Sequence, residues 1–164
     1  MWKTIKYILV IGFFPVTIFC LVMKYLYRLI EKKFAKKYIA SISIDEIDIL
    51  SGEEFEDLLS IYFKSLGLKV TKTKRSHDYG ADLLVKNKSE LIAIQCKLYY
   101  KRTVGNSAVQ EIASAKEFYS ANRAVVITNS TFTKPAEVLA DKIGVNLINR
   151  TGLINMLSYG NTNF

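Results

Sequence analysis

The chain predicts an α/β fold, a mixed central sheet flanked by helices in the order α-β-β-β-α-β-α-β-α, with an apolar helix ahead of it. Three observations carry this expectation. Two short apolar runs, residues 83–85 and 91–94, are separated by the turn-like Lys86-Asn87-Lys88-Ser89-Glu90 and read as a β-hairpin. Segments with apolar residues at helical spacing alternate with short β-branched runs, the pattern of helices crossing over a sheet. Residues 123–128 (RAVVIT) are apolar almost throughout, as a strand buried on both faces is. Hairpin and crossover connections in one chain make the sheet mixed.

Each element has a local reason. Ser51 with Glu54 three residues on fits a capping box, and Phe55, Leu58, Leu59, Tyr62 and Phe63 follow at helical spacing until Gly67. A strand is expected over 68–73, then a loop holding Ser76-His77-Asp78-Tyr79-Gly80, then the hairpin. Residues 106–119 are helical by pattern. Thr133 can cap a helix running to Ile143, with Pro135 in its first turn and Gly144 at its end. A last strand over 145–148 and a short helix over 151–157 close the domain, while residues 40–50 read as a linker. No internal repeat or low-complexity tract is present.

The 164 residues suffice for one core-bearing domain and an appendage. From Tyr7 to Met23 no residue is charged, and as a helix that run would cover roughly 25 Å, near the lower limit for spanning a bilayer. A cleaved signal peptide is the competing reading, but no small-x-small site follows the run. Residues 1–24 are therefore expected to form a transmembrane anchor, residues 25–47 a basic juxtamembrane helix and linker, and residues 48–164 the globular domain. Lys24, Arg28, Lys32, Lys33, Lys36 and Lys37 follow the run against Lys3 and Lys6 before it, which sets the expected C-terminal domain on the cytoplasmic side of the cell membrane in a single-pass arrangement.

Charge tells the same story. The net charge is +8, but residues 1–40 carry eight Lys/Arg and one Glu, so the collar rather than the domain holds most of it and suits anionic lipid. Within the domain, seven acids lie between Asp45 and Asp57, and the remainder is basic, which allows a polarised surface. Cys20 and Cys96 suggest neither a disulfide framework nor a thiolate metal cluster.

The chemistry concentrates at Asp82 and Gln95-Cys96-Lys97. Gln95 and Lys97 are two residues apart on a strand and share a face. If Lys88-Ser89 forms the tight turn, Asp82 falls opposite Gln95, and a carboxylate, an amide oxygen and an ammonium meet where they can hold Mg²⁺ over a phosphodiester. A slip of one residue would scatter them. Lys72, Lys74 and Arg75 before the loop, with Lys101 and Arg102 after Tyr99-Tyr100, are candidates for contact with a nucleic-acid backbone, although charge runs are commonly solvated faces. His77, the one histidine, has no neighbour in sequence to orient it as a base. Nucleotide-binding glycine loops, a nucleophile elbow and paired zinc-binding histidines are absent.

Gly52-Glu53-Glu54-Phe55-Glu56, Asp78-Tyr79-Gly80-Ala81-Asp82, Gln95-Cys96-Lys97, Val104-Gly105-Asn106 with Val109-Gln110-Glu111, and Val126-Ile127-Thr128-Asn129-Ser130 together resemble the successive blocks of the Mrr-like (type IV restriction endonuclease) catalytic domain of the PD-(D/E)xK nuclease superfamily. The likeness covers about residues 48 to 157, and Gln95 stands where most of the superfamily has an acid. The resemblance implies a restriction-endonuclease-like sheet and a Mg²⁺- or Mn²⁺-dependent cut in DNA. It implies Asp82, Gln95 and the backbone carbonyl of Cys96 as metal ligands and Lys97 as the group beside the attacking water. Glu56 matches a position that can add a carboxylate, against the plain reading of a solvated acid on an acid-rich helix, and Glu53 is a weaker choice. Asp78 and Gln110 are supporting candidates, Asp78 against the somewhat favoured reading that it shapes its loop and Gln110 against that of an ordinary exposed helix residue. Gln95→Glu is expected to tighten metal binding. DNA is the implied partner, restriction of foreign DNA the implied role, and a homodimer the arrangement that cuts two strands. The rival expectation is a catalytically weak or inactive DNA- or protein-binding module at the membrane, or a signalling protein, that keeps the nuclease-like fold.

Overall fold

In a computed structural model, residues 2–73 and 79–160 are described, the side chains of residues 2–15 excepted. Eleven elements follow in order: α1 (Trp2–Ser41), α2 (Ile44–Asp48), α3 (Gly52–Ser65), β1 (Lys69–Lys72), β2 (Leu83–Lys86), β3 (Leu91–Lys97), α4 (Asn106–Phe118), β4 (Arg123–Thr128), α5 (Lys134–Ile143), β5 (Val145–Ile148) and α6 (Arg150–Tyr159). From α3 onward this is the expected order. The five strands form one sheet in the order β1-β2-β3-β4-β5, antiparallel through β3 and parallel beyond it.

Local chemistry accounts for the boundaries. Ser51 accepts from the Glu54 N–H and Glu54 answers to the Ser51 N–H at 2.7 Å, so two otherwise orphaned donors at the start of α3 are satisfied. Thr133 caps α5, which stops at Gly144 in the left-handed conformation (φ 71°). At the hairpin, Asn87 Oδ1 accepts from the Ser89 and Glu90 N–H groups, which leaves Lys88-Ser89 at the tip. The ladder then pairs Leu83 with Ile94 and Lys86 with Leu91, the expected register.

Two cores lie on the two faces of the sheet. Phe55, Leu58, Leu59, Tyr62 and Phe63 of α3 pack with Leu83, Val85, Ile92, Ile94, Val125 and Ile127, and with Leu153, Met156 and Leu157 of α6. The buried Tyr62 hydroxyl donates to the Met156 carbonyl at 2.8 Å, and burial pushes its pKa up to about 12. On the other face, Ala93, Ala124 and Val126 meet Ala108, Val109, Ile112 and Ala115 of α4 and Ala136 and Ala140 of α5. Small residues here let the helices approach the sheet closely.

The front of the chain differs from expectation in three ways. Residues 40–50, read as a linker, contain α2, which has its own capping box between Ser43 and Glu46. Ile39 near the end of α1 and Ile47 in α2 are buried in the α3-side core, so the tract ahead of α3 contributes to it. The expected transmembrane anchor over residues 1–24 is not supported: among the described residues no helix is long and apolar enough to cross a membrane. The part of the apolar run before Val16 lies outside the described side chains. α1 itself runs unbroken past Pro15, and Val16, Ile18, Phe19, Leu21 and Val22 are exposed along it.

Candidate active site

The site forms where β2 begins, beside the C-terminal end of the antiparallel β3. Strand alternation turns Ile92, Ile94 and Cys96 toward α3 and Ala93, Gln95 and Lys97 toward α4. The ladder's next step beyond Leu83 and Ile94 would set Asp82 against Gln95. The chain leaves the sheet at this point instead: the Asp82 N–H donates to the Ile94 carbonyl at 2.8 Å, and its carboxylate accepts from the Cys96 N–H at 2.6 Å. Thr73 completes the clamp, its N–H donating to the Asp82 carbonyl at 3.0 Å and its hydroxyl to the Ala81 carbonyl at 2.5 Å. The Asp82 carboxylate is thus bound to the backbone between Gln95 and Lys97. Because the N–H and C=O of a strand residue point to the same edge, the Cys96 carbonyl faces this edge too, beyond the first residue of β2.

Gln95 is 3% exposed, and its amide is used on one side. Nε2 donates to Glu111 Oε2 at 2.6 Å, while Oε1 is buried without a hydrogen-bond partner among the described residues. Lys97 Nζ donates to the same Glu111 oxygen at 3.0 Å. Glu111 comes from α4 and was not singled out from sequence. The signal available was its position three residues after Ala108 and four before Ala115, both buried, which sets it at the edge of the face that α4 turns to the sheet. Gln110, the candidate next to it, is exposed.

The loop carrying Asp82 is braced by the same helix. Gly80 has φ 94°, and a Cβ there would lie 2.6 Å from the Glu111 carbonyl oxygen, so only glycine allows this approach. Next to it Tyr79 stacks on Phe118 with ring centroids 3.7 Å apart.

Glu56 approaches from α3, on the other face of β3, and pairs with Lys72 at 3.3 Å; Lys72 also bonds Asp57 at 2.8 Å. Lys72 is therefore engaged by two acids of α3. The Cys96 thiol lies between these groups, its pKa pushed well up by burial first and then by the Asp82 and Glu56 carboxylates. Lys101 and Arg102 are exposed, over the rings of Tyr100 and Tyr99 respectively. Glu53 is exposed at the start of α3. Asp78, Lys74, Arg75 and His77 lie outside the described residues.

A second polar cluster ties the parallel strands to the outer helices. Asp48 of α2 accepts from Arg150 Nη1 at 2.7 Å and from Asn129 Nδ2 at 2.8 Å; Asn129 in turn accepts from the Tyr99 N–H at 2.8 Å. It fixes the chain just after Lys97.

Among the described residues no group of three or more His, Cys, Asp or Glu side chains is gathered as a metal centre. The residues that could hold a cation offer oxygen only, the Asp82 carboxylate, the buried Gln95 Oε1 and the Cys96 carbonyl, a chemistry that suits a hard ion such as Mg²⁺ or Mn²⁺.

The fold agrees with what the chain is similar to. No curated protein matches it. Among solved structures it resembles the DNA modification-dependent restriction endonuclease AspBHI, with TM-score 0.55 and 17% identity over 80% of this chain and 36% of that one. It also resembles AF1548, described as a protein of unknown function, with TM-score 0.50 and 14% identity over 57% of this chain and 55% of that one. The chain thus spans about half or less of either structure, and at these identities the likeness is one of fold. The restriction endonuclease model Mrr_cat matches residues 47–157, the whole of the sheet with α3 to α5 and most of α6, and the chain belongs to that restriction endonuclease family.

Proposed function

We propose that this protein is a divalent-metal-dependent endonuclease of Mrr type that hydrolyses phosphodiester bonds in DNA. One observation carries the reading: the buried Gln95 Oε1, unpartnered among the described residues, shares a strand face with Lys97, next to the Cys96 N–H that holds Asp82. Leaving such an atom without a partner costs about 1–3 kcal/mol, which a cation in contact with it would offset. Asp82, Gln95 Oε1 and the Cys96 carbonyl are the ligands in this reading. When bound, the ion would polarise the phosphoryl group and lower the pKa of a water beside it.

The chain's own residues supply the rest. Lys97, held by Glu111, would set its ammonium against the non-bridging oxygens and offset the charge that develops on them. Glu56 would add negative charge from the α3 side, with Lys72 as its counter-ion. Lys101 and Arg102, exposed beyond the end of β3, would follow the DNA backbone. Cutting two strands would take a homodimer.

The same proposal sets the domain on the cytoplasmic side of a membrane, where it would act on foreign DNA. Support comes from the uncharged run Tyr7 to Met23, the exposed apolar residues of α1 after Val16 and the basic collar that suits anionic lipid. A second reading, a DNA- or protein-binding module of nuclease-like fold, draws on the sparse acid content of the site among the described residues.

A cleavage assay decides between them. The full chain, given duplex DNA with Mg²⁺ or Mn²⁺, should cut, and Asp82→Ala and Lys97→Ala should each lower the rate by about 100-fold or more. Salt-sensitive DNA binding without cutting, indifferent to both substitutions, would establish the module.

A further inference from the structure

We propose that Glu111 is a positioning residue of the candidate metal site: its carboxylate turns the Gln95 amide so that Oε1 is presented to the cation, and it holds Lys97 on the same side. The inference rests on the nuclease reading and deepens it. An amide side chain has a donor end and an acceptor end of nearly the same shape, so its orientation is set by its partners. A carboxylate can only accept. With Glu111 Oε2 at 2.6 Å from Gln95 Nε2, the reversed amide would oppose oxygen to oxygen, and Oε1 must point away from α4. That atom is the one left buried and unpartnered.

The bond to Lys97 alone would be an ordinary half-exposed ion pair of little consequence. The bond to Gln95 is of another kind, because Gln95 is buried and the hydrogen bond is charge-assisted. Glu111 is itself fixed relative to Asp82, since Gly80 packs its backbone against the Glu111 carbonyl two residues before Asp82. One turn of α4 therefore sets both the ligand carboxylate's loop and the ligand amide's orientation.

Glu111→Gln keeps the shape but can donate as well as accept, so it no longer dictates which way Gln95 faces. Mn²⁺ binding to the purified full chain, followed by electron paramagnetic resonance, is the readout, with thermal unfolding as the control. Loss of a partner behind a ligand typically weakens metal binding about 10–100-fold, and that loss is expected for Glu111→Gln with the unfolding midpoint unchanged. Combining it with Gln95→Glu restores one carboxylate and one amide in the pair with their places exchanged, and should recover the affinity. Binding by Glu111→Gln as tight as that of the unaltered chain, or a double variant no better than Glu111→Gln alone, would overturn the role given to Glu111. Absence of Mn²⁺ binding by the unaltered chain would overturn the metal-site reading beneath it.

Discussion

Asp82 shows how the backbone can hold one carboxylate: hydrogen bonds to Ile94, Cys96 and Thr73 fix its place before any ligand arrives. The partner residue Gln95 changes one expectation. Gln95→Glu alone would press a second carboxylate against Glu111, so tighter metal binding requires Glu111→Gln with it. A different acid contributes to stability. Asp48 has its carboxyl held below the usual range, first by the Arg150 guanidinium and, against the opposing effect of burial, also by Asn129. A folded pKa below the unfolded value of about 3.9 means that this contribution is present above pH 4 and is lost as pH falls through the folded pKa. Asp48→Asn should therefore flatten the acid limb of the stability profile below about pH 4. At neutral pH it should cost about 1–3 kcal/mol in denaturant titrations, because it breaks a part-buried network. Asp82, Gln95 and Lys97 were legible because strand alternation and a short hairpin act over few residues. Asp48 and Arg150, 102 residues apart, were not.

At the scale of elements, capping and turn chemistry decided most boundaries. Ser51→Ala removes one half of the α3 capping box and should cost about 1 kcal/mol by thermal unfolding. Gly80→Ala is more severe, since it combines φ 94° with a Cβ 2.6 Å from the Glu111 carbonyl; it should lower stability by about 1–3 kcal/mol and shift the Asp82 loop. A cleavage rate that falls more than the folded fraction would report that shift. Gly144, at φ 71° with open space around it, is the milder comparison, limited to the conformational cost. α2 escaped sequence reading because its five residues give no helical period, although its Ser43 and Glu46 carry the same cap as α3.

For the whole molecule, the two-faced sheet explains why the site sits at a strand end. Both faces are closed by helices, so polar groups converge where β2 starts, beside the C-terminal end of β3 and the first turns of α4. Phe55 and Ile47 test the α3-side core from different directions. Phe55→Ala should cost about 3–5 kcal/mol, and Ile47→Ala about 2–5 kcal/mol if α2 is part of that core, as its burial indicates. An Ile47→Ala variant as stable as the unaltered chain would return α2 to the status of a spacer.

Hydrophobic period, caps and turn residues determined the element order, the hairpin register and the face shared by Gln95 and Lys97, because each depends on interactions within a few residues. Tertiary structure decided the rest: the joining of Asp48 to Asn129 and Arg150, the burial of Ile39 and Ile47, and the arrival of Glu111 at Gln95 and Lys97. Those depend on where α4 and α2 dock on the sheet, and docking is set by the packing of distant side chains, which no local pattern encodes.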